Sequence, residues 1–354
     1  MKGYALTEWG NPLREVPIPD LKPVGKEVLV KVLTSGLCHS DLHTQDGHFG
    51  GYGGEGFKLS FTDMGCKLPC FPGHEVYGVI QDFGPDAGLT NADKGKPVIV
   101  FPWTGCQKCA ACKAGHDEQC PTPAFIGTHL PGGLAEAIIV PQAKYCVNAE
   151  GIDPLHAGSY ACAGVTAMSA LKKLGPDKES FIAVVGLGGV GLTVLSIAKA
   201  LGFKKVAGID VDDAKLEVAS KLGCDKTFNS TEAGVVDRIK AETGGGVVGV
   251  VDLVGITKTV ELGVAIMKPG AVYVAVGLAG GELRIPLPLL VFTQCVFRGS
   301  VVGTLDDLNQ VVALAKQGKI KPIPASPVPV SEINKSLDQL RAGKVSGRLV
   351  LMWT

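Results

Sequence analysis

The sequence has no excess of either charge and no run of basic residues. Its 354 residues include 34 basic and 34 acidic side chains, so the net charge is zero. Without a charge excess, the chain has no long-range field that would attract it to nucleic acid or to an anionic membrane surface. Its 48 glycines show no Gly-X-Y period and alternate with apolar segments, which argues against collagen and disorder. We therefore predict a globular protein and do not expect nucleic acid or a membrane surface among its partners.

We also expect neither a secretory signal nor a true membrane segment. The first residues, Met1–Trp9, contain no apolar core after a basic start, which favours a cytoplasmic location. Segment 181–198 is uncharged and long enough to suggest a membrane span, but four glycines interrupt it. A strand that turns into a helix explains both features. In a reducing compartment, the eleven cysteines are expected to bind metal or act in catalysis more than to form disulfides.

The length predicts two domains, and the two halves of the sequence differ in their pattern of predicted secondary structure. The first half reads as short strands, such as 27–33 and 96–101, joined by Gly- and Pro-rich loops. From about Pro154, apolar strands alternate with helical segments, as a parallel sheet covered on both faces requires. These strands are predicted at 181–185, 206–209, 247–253 and 271–276. The last part contains a helix, a Pro-rich extended segment and a strand, at 305–317, 321–330 and 348–352.

A glycine-rich motif, Gly186-Leu187-Gly188-Gly189-Val190-Gly191, directly follows the first apolar strand. Gly186 is expected to permit a tight turn, Gly188 to let the backbone approach a pyrophosphate, and Gly191 to let helix pack on strand. The next strand ends at Asp210, where a carboxylate accepts hydrogen bonds from the ribose hydroxyls and repels a 2′-phosphate. These features predict NAD rather than NADP as the coenzyme.

Four cysteines lie within fifteen residues, at positions 106, 109, 112 and 120. Short loops of this kind can wrap a tetrahedral ion, and four sulfur ligands leave no open position for chemistry. Cys106, Cys109, Cys112 and Cys120 are therefore predicted to bind a structural zinc. Paired disulfides and an iron–sulfur cluster are the alternatives.

Further candidate ligands are dispersed, and each alone reads as a core residue. Together with the glycine motif they spell a larger pattern: Gly36-Leu37-Cys38-His39-Ser40-Asp41, Gly73-His74-Glu75, Cys162-Ala163-Gly164-Val165-Thr166 and Ser346-Gly347-Arg348. On these motifs the chain resembles the zinc-dependent medium-chain alcohol dehydrogenases over essentially its whole length. The resemblance implies reversible hydride transfer between NAD and a primary or secondary alcohol, with its aldehyde or ketone.

The fold implied by this resemblance is α/β with two domains. A Rossmann domain with a doubly wound parallel sheet would bind NAD at residues 153–299. A mainly β, GroES-like catalytic domain would comprise residues 1–152 and 300–354 and carry both zinc sites, one catalytic and one structural. By analogy with microbial members of this length, the assembly is expected to be a homotetramer, with a dimer as the alternative.

The catalytic site is also implied by the resemblance. Cys38, His74 and Cys162 would hold a catalytic zinc whose fourth position takes water or the substrate oxygen. Glu75 would either approach the metal during ligand exchange or form a structural ion pair. Asp41 would fix the ring of a ligand histidine from outside the ligand set.

The proton path and further coenzyme contacts follow from the same resemblance. Ser40 would take the proton first, and the path would continue through the coenzyme ribose to His43, expected as a base on the solvent side. The other contacts are implied at four positions: Thr166 and Val190 beside the nicotinamide, His39 and Arg348 near the pyrophosphate.

The chain departs from the shorter microbial members in the segment Gly47 to Phe71, where roughly a dozen extra residues lie between Cys38 and His74. We expect this insertion to cover part of the substrate cleft or a subunit contact. It repeats the glycine pattern at 51–56 without a strand before it or a helix after it, so these residues are interpreted as a loop. Its cysteines, Cys66 and Cys70, could form a disulfide or be an incidental pair.

Two other functions remain open. A polyol or aldehyde-specialised zinc dehydrogenase of the same superfamily would share Gly73-His74-Glu75, although the sorbitol type commonly has Glu in place of Cys162. A coenzyme-binding redox sensor without catalysis belongs to a different class. The presence of Cys38, Ser40, His74 and Cys162 argues against the sensor.

Overall fold

The computed structural model describes residues 1–51 and 56–353. Its strands are β1 (Lys2–Ala5), β2 (Arg14–Pro17), β3 (Val28–Gly36), β4 (His48–Gly50), β5 (Lys58–Ser60), β6 (Val76–Phe83), β7 (Pro97–Val100), β8 (Ala137–Val140), β9 (Cys146–Asn148), β10 (Phe181–Val185), β11 (Lys205–Asp210), β12 (Lys226–Asn229), β13 (Val247–Asp252), β14 (Met267–Ala275), β15 (Val296–Gly299), β16 (Ala325–Pro329) and β17 (Arg348–Met352). The α-helices are α1 (His39–Asp46), α2 (Ala110–Lys113), α3 (Pro154–Ala157), α4 (Ala163–Lys173), α5 (Gly189–Ala200), α6 (Asp213–Leu222), α7 (Val235–Glu242), α8 (Thr257–Ala265), α9 (Leu287–Thr293), α10 (Leu305–Lys316) and α11 (Ile333–Arg341).

The first sheet joins the two ends of the chain. Its strands run in the order β16-β17-β3-β6-β7-β9, and β8 also pairs with β3. Buried valines along β3 face the core, as expected of a strand with one face covered. The antiparallel pairing of β3 with β6 sets Ser35 opposite Val76. The segments that follow β3 and precede β6 therefore meet at one edge, and these segments carry Cys38 and His74.

The second sheet is parallel throughout, in the order β12-β11-β10-β13-β14-β15. Its register places Val185 at the end of β10 beside Ile209 in β11 and Asp252 in β13. The strand order reverses between β10 and β13, and ligands bind at such a reversal beyond the carboxyl ends of the strands. The glycine motif follows β10 at this point, as the sequence predicted. The predicted two-domain α/β fold is confirmed.

Helix α4 connects the two sheets through the largest apolar core. Val165, Met168 and Leu171 are fully buried in a cluster that includes residues of both sheets. Burial of each such side chain stabilises the fold by about 1.5–3 kcal/mol. Because Cys162 directly precedes α4, this packing fixes a candidate ligand at the junction between the sheets.

The suspected membrane segment 181–198 forms β10 and most of α5. Among the helices of the described residues, none is long and apolar enough to span a membrane. The cytoplasmic location stays a prediction. Most of the second glycine pattern falls on residues 52–55, which lie outside the described part of the chain.

Candidate active site

Four potential ligands from distant parts of the chain form one buried group. Cys38 lies at the N-terminus of α1, Cys162 at the N-terminus of α4, and His74 and Glu75 directly before β6. Their ligand atoms all lie within 4.8 Å of one another, and the two sulfur atoms are 3.9 Å apart. The structure thus brings together the three zinc ligands that the resemblance implied, together with Glu75.

The chemistry of this group fits zinc. The hydrogen bond with the Cys162 thiol, followed by the effects of His74, holds the pKa of Cys38 well below its usual range. The same hydrogen bond and burial raise the pKa of Cys162. Two sulfurs and one imidazole form a donor set that zinc prefers, and a site with three protein ligands keeps an open position for substrate. The residues present therefore fit a catalytic zinc.

Asp41 is buried behind His74. Its Oδ1 lies 3.7 Å from His74 Nδ1, and its Oδ2 accepts a hydrogen bond from the Cys38 backbone N–H at 2.9 Å. Burial alone would lower the pKa of His74, but the charges of Asp41 and Cys38 outweigh it, and the pKa is raised. Asp41 is therefore placed to orient both the histidine and the first turn of α1, as expected of a carboxylate behind a metal ligand.

Ser40 and His43 lie one turn apart on α1. The Ser40 hydroxyl donates to Cys38 Sγ at 3.1 Å and lies 3.4 Å from His74 Nε2, so it points into the ligand group. His43 differs from expectation, because only 6% of its surface is exposed. Its ring packs against Phe49, 5.1 Å between centroids, and burial lowers its pKa. Phe49 of the insertion covers the His43 ring, so the ring does not face solvent directly, and its role as a base stays a prediction.

Arg348 connects the ligand group with the glycine motif. Its guanidinium forms a buried ion pair with Glu75, with 5% and 0% of the two side chains exposed. Its stem passes the first turn of α5 so closely that a Cβ at Gly189 would lie 2.5 Å from Arg348 Cδ. A structural ion pair was one of the two roles expected of Glu75, and this ion pair is present. The pyrophosphate contact of Arg348 stays a prediction.

The glycine motif has the geometry of a coenzyme-binding turn. Gly186 has a φ of 89°, which favours glycine, and a Cβ at Gly191 would overlap the Gly186 carbonyl oxygen. A Cβ at Gly188, in contrast, would meet nothing within 4 Å. The backbone there is open to a ligand at the N-terminus of a twelve-residue helix, where N–H groups favour a phosphate.

Asp210 lies against this turn. Its Oδ2 accepts a hydrogen bond from the Leu187 backbone N–H at 2.6 Å. Its Oδ1 accepts from the backbone N–H groups of Val211 and Asp212, at 2.8 and 3.1 Å. These bonds fix the carboxylate at the end of β11, where the ribose is expected to bind.

The other predicted coenzyme residues lie on α4, α5 and α1, and their contacts with the coenzyme stay predictions. Thr166 is buried on α4, and Val190 is half-buried on α5. Partial burial lowers the pKa of His39, and the positive charges of Arg348 and Lys215 lower it further. Lys215 was not among the residues predicted from the sequence. Its position in the first turn of the helix after Asp210 was the signal that could have indicated a charge near the coenzyme turn.

The four-cysteine group lies in a separate lobe. The sulfur atoms of Cys106, Cys109, Cys112 and Cys120 all lie within 4.8 Å of one another. Backbone N–H groups of Cys106 and Cys112 point at the sulfurs of Cys120 and Cys109, at 3.3 and 3.4 Å. Hydrogen bonds, the largest effects coming from the backbone N–H groups of Lys108 and Cys109, lower the pKa of Cys106 to about 6. Four converging sulfurs with N–H donors fit a closed zinc site.

Trp103 is a site residue that the sequence did not reveal. Its ring lies 5.4 Å from the His74 ring and 5.5 Å from Phe125. Its indole N–H donates to the carbonyl of Ala161, the residue before Cys162, at 2.9 Å. The ring therefore forms an apolar wall beside two of the ligands. Its position three residues before Cys106 was the only signal.

Comparison with known proteins identifies the family. Residues 25–151 match the model of the alcohol dehydrogenase GroES-like domain, and residues 189–317 match that of the zinc-binding dehydrogenases. An NAD-dependent alcohol dehydrogenase of Sulfurisphaera tokodaii is 34% identical, over 99% of this chain and 100% of the relative.

Solved structures agree with these matches. The alcohol dehydrogenase of Aeropyrum pernix superposes with a TM-score of 0.89 and 31% identity over 100% of both chains. The acetophenone reductase of Geotrichum candidum, solved in complex with NAD, gives 0.85 and 27% over 99% of this chain and 97% of that chain. The sequence matches, the shared fold and the two ligand groups show that the chain belongs to the zinc-dependent medium-chain alcohol dehydrogenase family.

Proposed function

We propose that this protein is an NAD-dependent zinc alcohol dehydrogenase that oxidises primary or secondary alcohols and reduces the matching aldehydes or ketones. One observation carries this proposal: Arg348 contacts Glu75 of the ligand group and Gly189 of the glycine motif. A metal site and a coenzyme turn that are one side chain apart form a single reaction centre. We place the boundaries between the domains near residues 152 and 300.

The chain contributes ligands, orientation and a proton path. When bound, zinc supplies Lewis acidity that lowers the pKa of an alcohol hydroxyl, and the nicotinamide accepts hydride. Cys38, His74 and Cys162 hold the metal, and Asp41 orients the His74 ring. The Ser40 hydroxyl, already directed at Cys38 Sγ, takes up the alcohol proton while it releases its own proton toward His43. The lowered pKa of His43 keeps its imidazole unprotonated and able to accept that proton.

We further propose two zinc ions per chain. The group of Cys38, His74 and Cys162 leaves a coordination position for substrate, whereas the four-cysteine group supplies four ligands of its own and leaves none. The second ion would stabilise its lobe without entering the reaction. Loss of the ion at Cys38, His74 and Cys162 is therefore expected to abolish the reaction, whereas loss of the ion at the four-cysteine group is expected to destabilise its lobe.

Trp103 supports an apolar alcohol as substrate. Its ring beside His74 offers apolar contact to a carbon chain whose oxygen lies at the ligand group. A polyol would place several hydroxyl groups against that wall, where each lost hydrogen bond to water costs about 1–3 kcal/mol. The likeness to an acetophenone reductase supports ketones, and hence secondary alcohols, within the substrate range.

A panel of alcohols tests this substrate class. We expect kcat/KM with NAD to be at least tenfold higher for a straight-chain primary alcohol, or for the secondary alcohol that corresponds to a methyl ketone, than for a polyol of equal carbon number. Trp103→Ala should reduce this preference. A higher kcat/KM for the polyol would favour the polyol dehydrogenase instead, and the absence of turnover despite NADH binding would favour the redox sensor.

We also propose that the protein is a homo-oligomer, expected to be a tetramer. Strand β15 is the outer strand of the parallel sheet, and such edges pair with other chains. Eight of the thirteen exposed large apolar residues in the described chain lie between 278 and 301. Phe292 on α9 is the largest side chain of these eight, and 83% of its surface is exposed.

A patch of this kind marks a protein interface, and a second copy would cover it symmetrically. Light scattering should give a mass of two or four chains, and Phe292→Asp should lower it. Monomeric wild-type protein would contradict this proposal.

A further inference from the structure

The insertion forms a hairpin that rests on the active-site helix. Strands β4 and β5 pair antiparallel, with Phe49 opposite Leu59 and Gly50 opposite Lys58. The Phe49 ring packs against His43 on α1 and lies 4.8 Å from the Phe61 ring. The position of the hairpin is therefore coupled to the helix that carries Ser40 and His43.

The other edge of the hairpin touches the coenzyme domain through backbone atoms. The Gly50 N–H donates to the Leu278 carbonyl at 3.0 Å. A Cβ at Gly56 would lie 2.5 Å from the Gly280 carbonyl oxygen, and a Cβ at Gly280 would lie 2.8 Å from the Gly51 nitrogen. Backbone from the two domains meets here at distances that only glycine allows. We call this contact the clasp, formed by residues 50, 51, 56 and 278–280.

The coenzyme-domain half of the clasp is attached to the coenzyme turn. The Ala279 and Gly281 N–H groups donate to the carbonyls of Val254 and Gly255, at 3.3 and 2.8 Å. Val254 packs so tightly on Gly186 that a Cβ there would lie 2.6 Å from Val254 Cγ2. The clasp thus connects the helix that carries the proton path to the turn that binds the coenzyme.

We propose that the clasp holds the two domains together over the bound coenzyme, and that NADH leaves only after the clasp opens. This rests on the proposed function, because the coenzyme must lie in the cleft between the domains. At the clasp, the hydrogen bond from Gly50 to Leu278 and the close backbone contact with Gly280 must break before the hairpin can separate from the coenzyme domain.

Gly280→Ala tests the clasp with a closely matched control. Gly280 and Gly175 both have a φ of 99°, but a Cβ at Gly175 would meet nothing within 4 Å. Alanine therefore introduces the same backbone strain at both sites and a collision only at Gly280. We expect Gly280→Ala to raise the NADH dissociation rate, measured by stopped-flow fluorescence, about fivefold above wild type and Gly175→Ala.

A second variant and a second measurement complete the test. Gly56→Ala breaks the same contact from the hairpin side, so combining it with Gly280→Ala should add little to either single effect. Amide hydrogen exchange of the peptide containing Gly50 should be faster in Gly280→Ala than in Gly175→Ala. Equal NADH dissociation and equal exchange in these two variants would overturn the proposal. If wild type did not bind NADH, the proposed function would fail, and the exchange comparison would still decide whether the clasp exists.

Discussion

Replacing Asp210 by glycine should remove most of the preference for NAD over NADP. The carboxylate is fixed by three backbone N–H groups, of Leu187, Val211 and Asp212, so it cannot turn away from a ligand at the end of β11. A 2′-phosphate carries a charge of about −1.5 to −2 at neutral pH and would lie in direct contact with this carboxylate. The discrimination is therefore chiefly electrostatic.

The expected magnitude follows from the charges. Two unit charges ~4 Å apart interact by about 4 kcal/mol at an effective dielectric constant of ~20. Salt and solvent at the cleft reduce this repulsion to about 2–3 kcal/mol. Asp210→Gly should therefore lower the ratio of kcat/KM for NAD to kcat/KM for NADP by roughly 30- to 150-fold. NAD itself should bind more weakly to Asp210→Gly, because the variant also loses the bonds to the ribose and leaves Leu187 N–H without its acceptor.

The assay is the rate of alcohol oxidation as a function of each coenzyme, for wild type, Asp210→Gly and Asp213→Asn. Asp213 is an exposed carboxylate at the start of α6 that does not contact the glycine motif, so Asp213→Asn should change the ratio by less than about twofold. A folded Asp210→Gly variant with the wild-type ratio would refute the assignment of Asp210.

Three further predictions concern the ion pair, the buried histidine and the cysteine lobe. Arg348→Met should lower the free energy of unfolding by about 3–5 kcal/mol, because it leaves Glu75 charged and buried. The double variant Arg348→Met/Glu75→Gln should recover that stability in urea titrations. An unshifted urea midpoint in Arg348→Met would contradict this prediction. Burial lowers the pKa of His43, and Phe49→Ala should expose its ring and raise that pKa. The acid limb of kcat/KM for alcohol oxidation should therefore move to higher pH in the variant, and an unmoved limb would exclude His43 as the base. Cys112→Ser should lose one zinc and shorten the half-life at elevated temperature while NADH still binds; unchanged zinc content would argue against the lobe as a metal site.

The coenzyme turn was predictable from the sequence because its parts are contiguous. Strand β10 has the bounds that its apolar residues predicted, and α5 begins inside the glycine motif. The turn geometry depends on residues within a few positions of Gly186. Local pattern is sufficient for such a site.

The zinc ligands could be proposed only through the resemblance. Cys38 and His74 meet because β3 and β6 pair antiparallel, a contact that no local pattern of the sequence reveals. Cys162 joins them because α4 packs between the two sheets. Spacing alone left each of these residues with the interpretation of a buried core side chain.

The burial of His43 and the role of Trp103 could not be predicted. His43 is covered by Phe49 of the inserted hairpin, and the packing of an insertion is not encoded by periodicity. Trp103 lies in a loop, where an aromatic residue carries no period to interpret. The apolar face around α9 is likewise apparent only once the structure shows that these residues are exposed.

The most direct test of the account is the zinc content of the protein and of Cys38→Ser, measured on the same preparations as alcohol-dependent NADH formation. We predict two zinc ions per chain in wild type and in the control Cys146→Ser, which changes a cysteine outside both ligand groups. Cys38→Ser should contain one zinc, bind NADH and form no NADH from alcohol. A Cys38→Ser variant that keeps both zinc ions and oxidises alcohol at the wild-type rate would contradict the central claim.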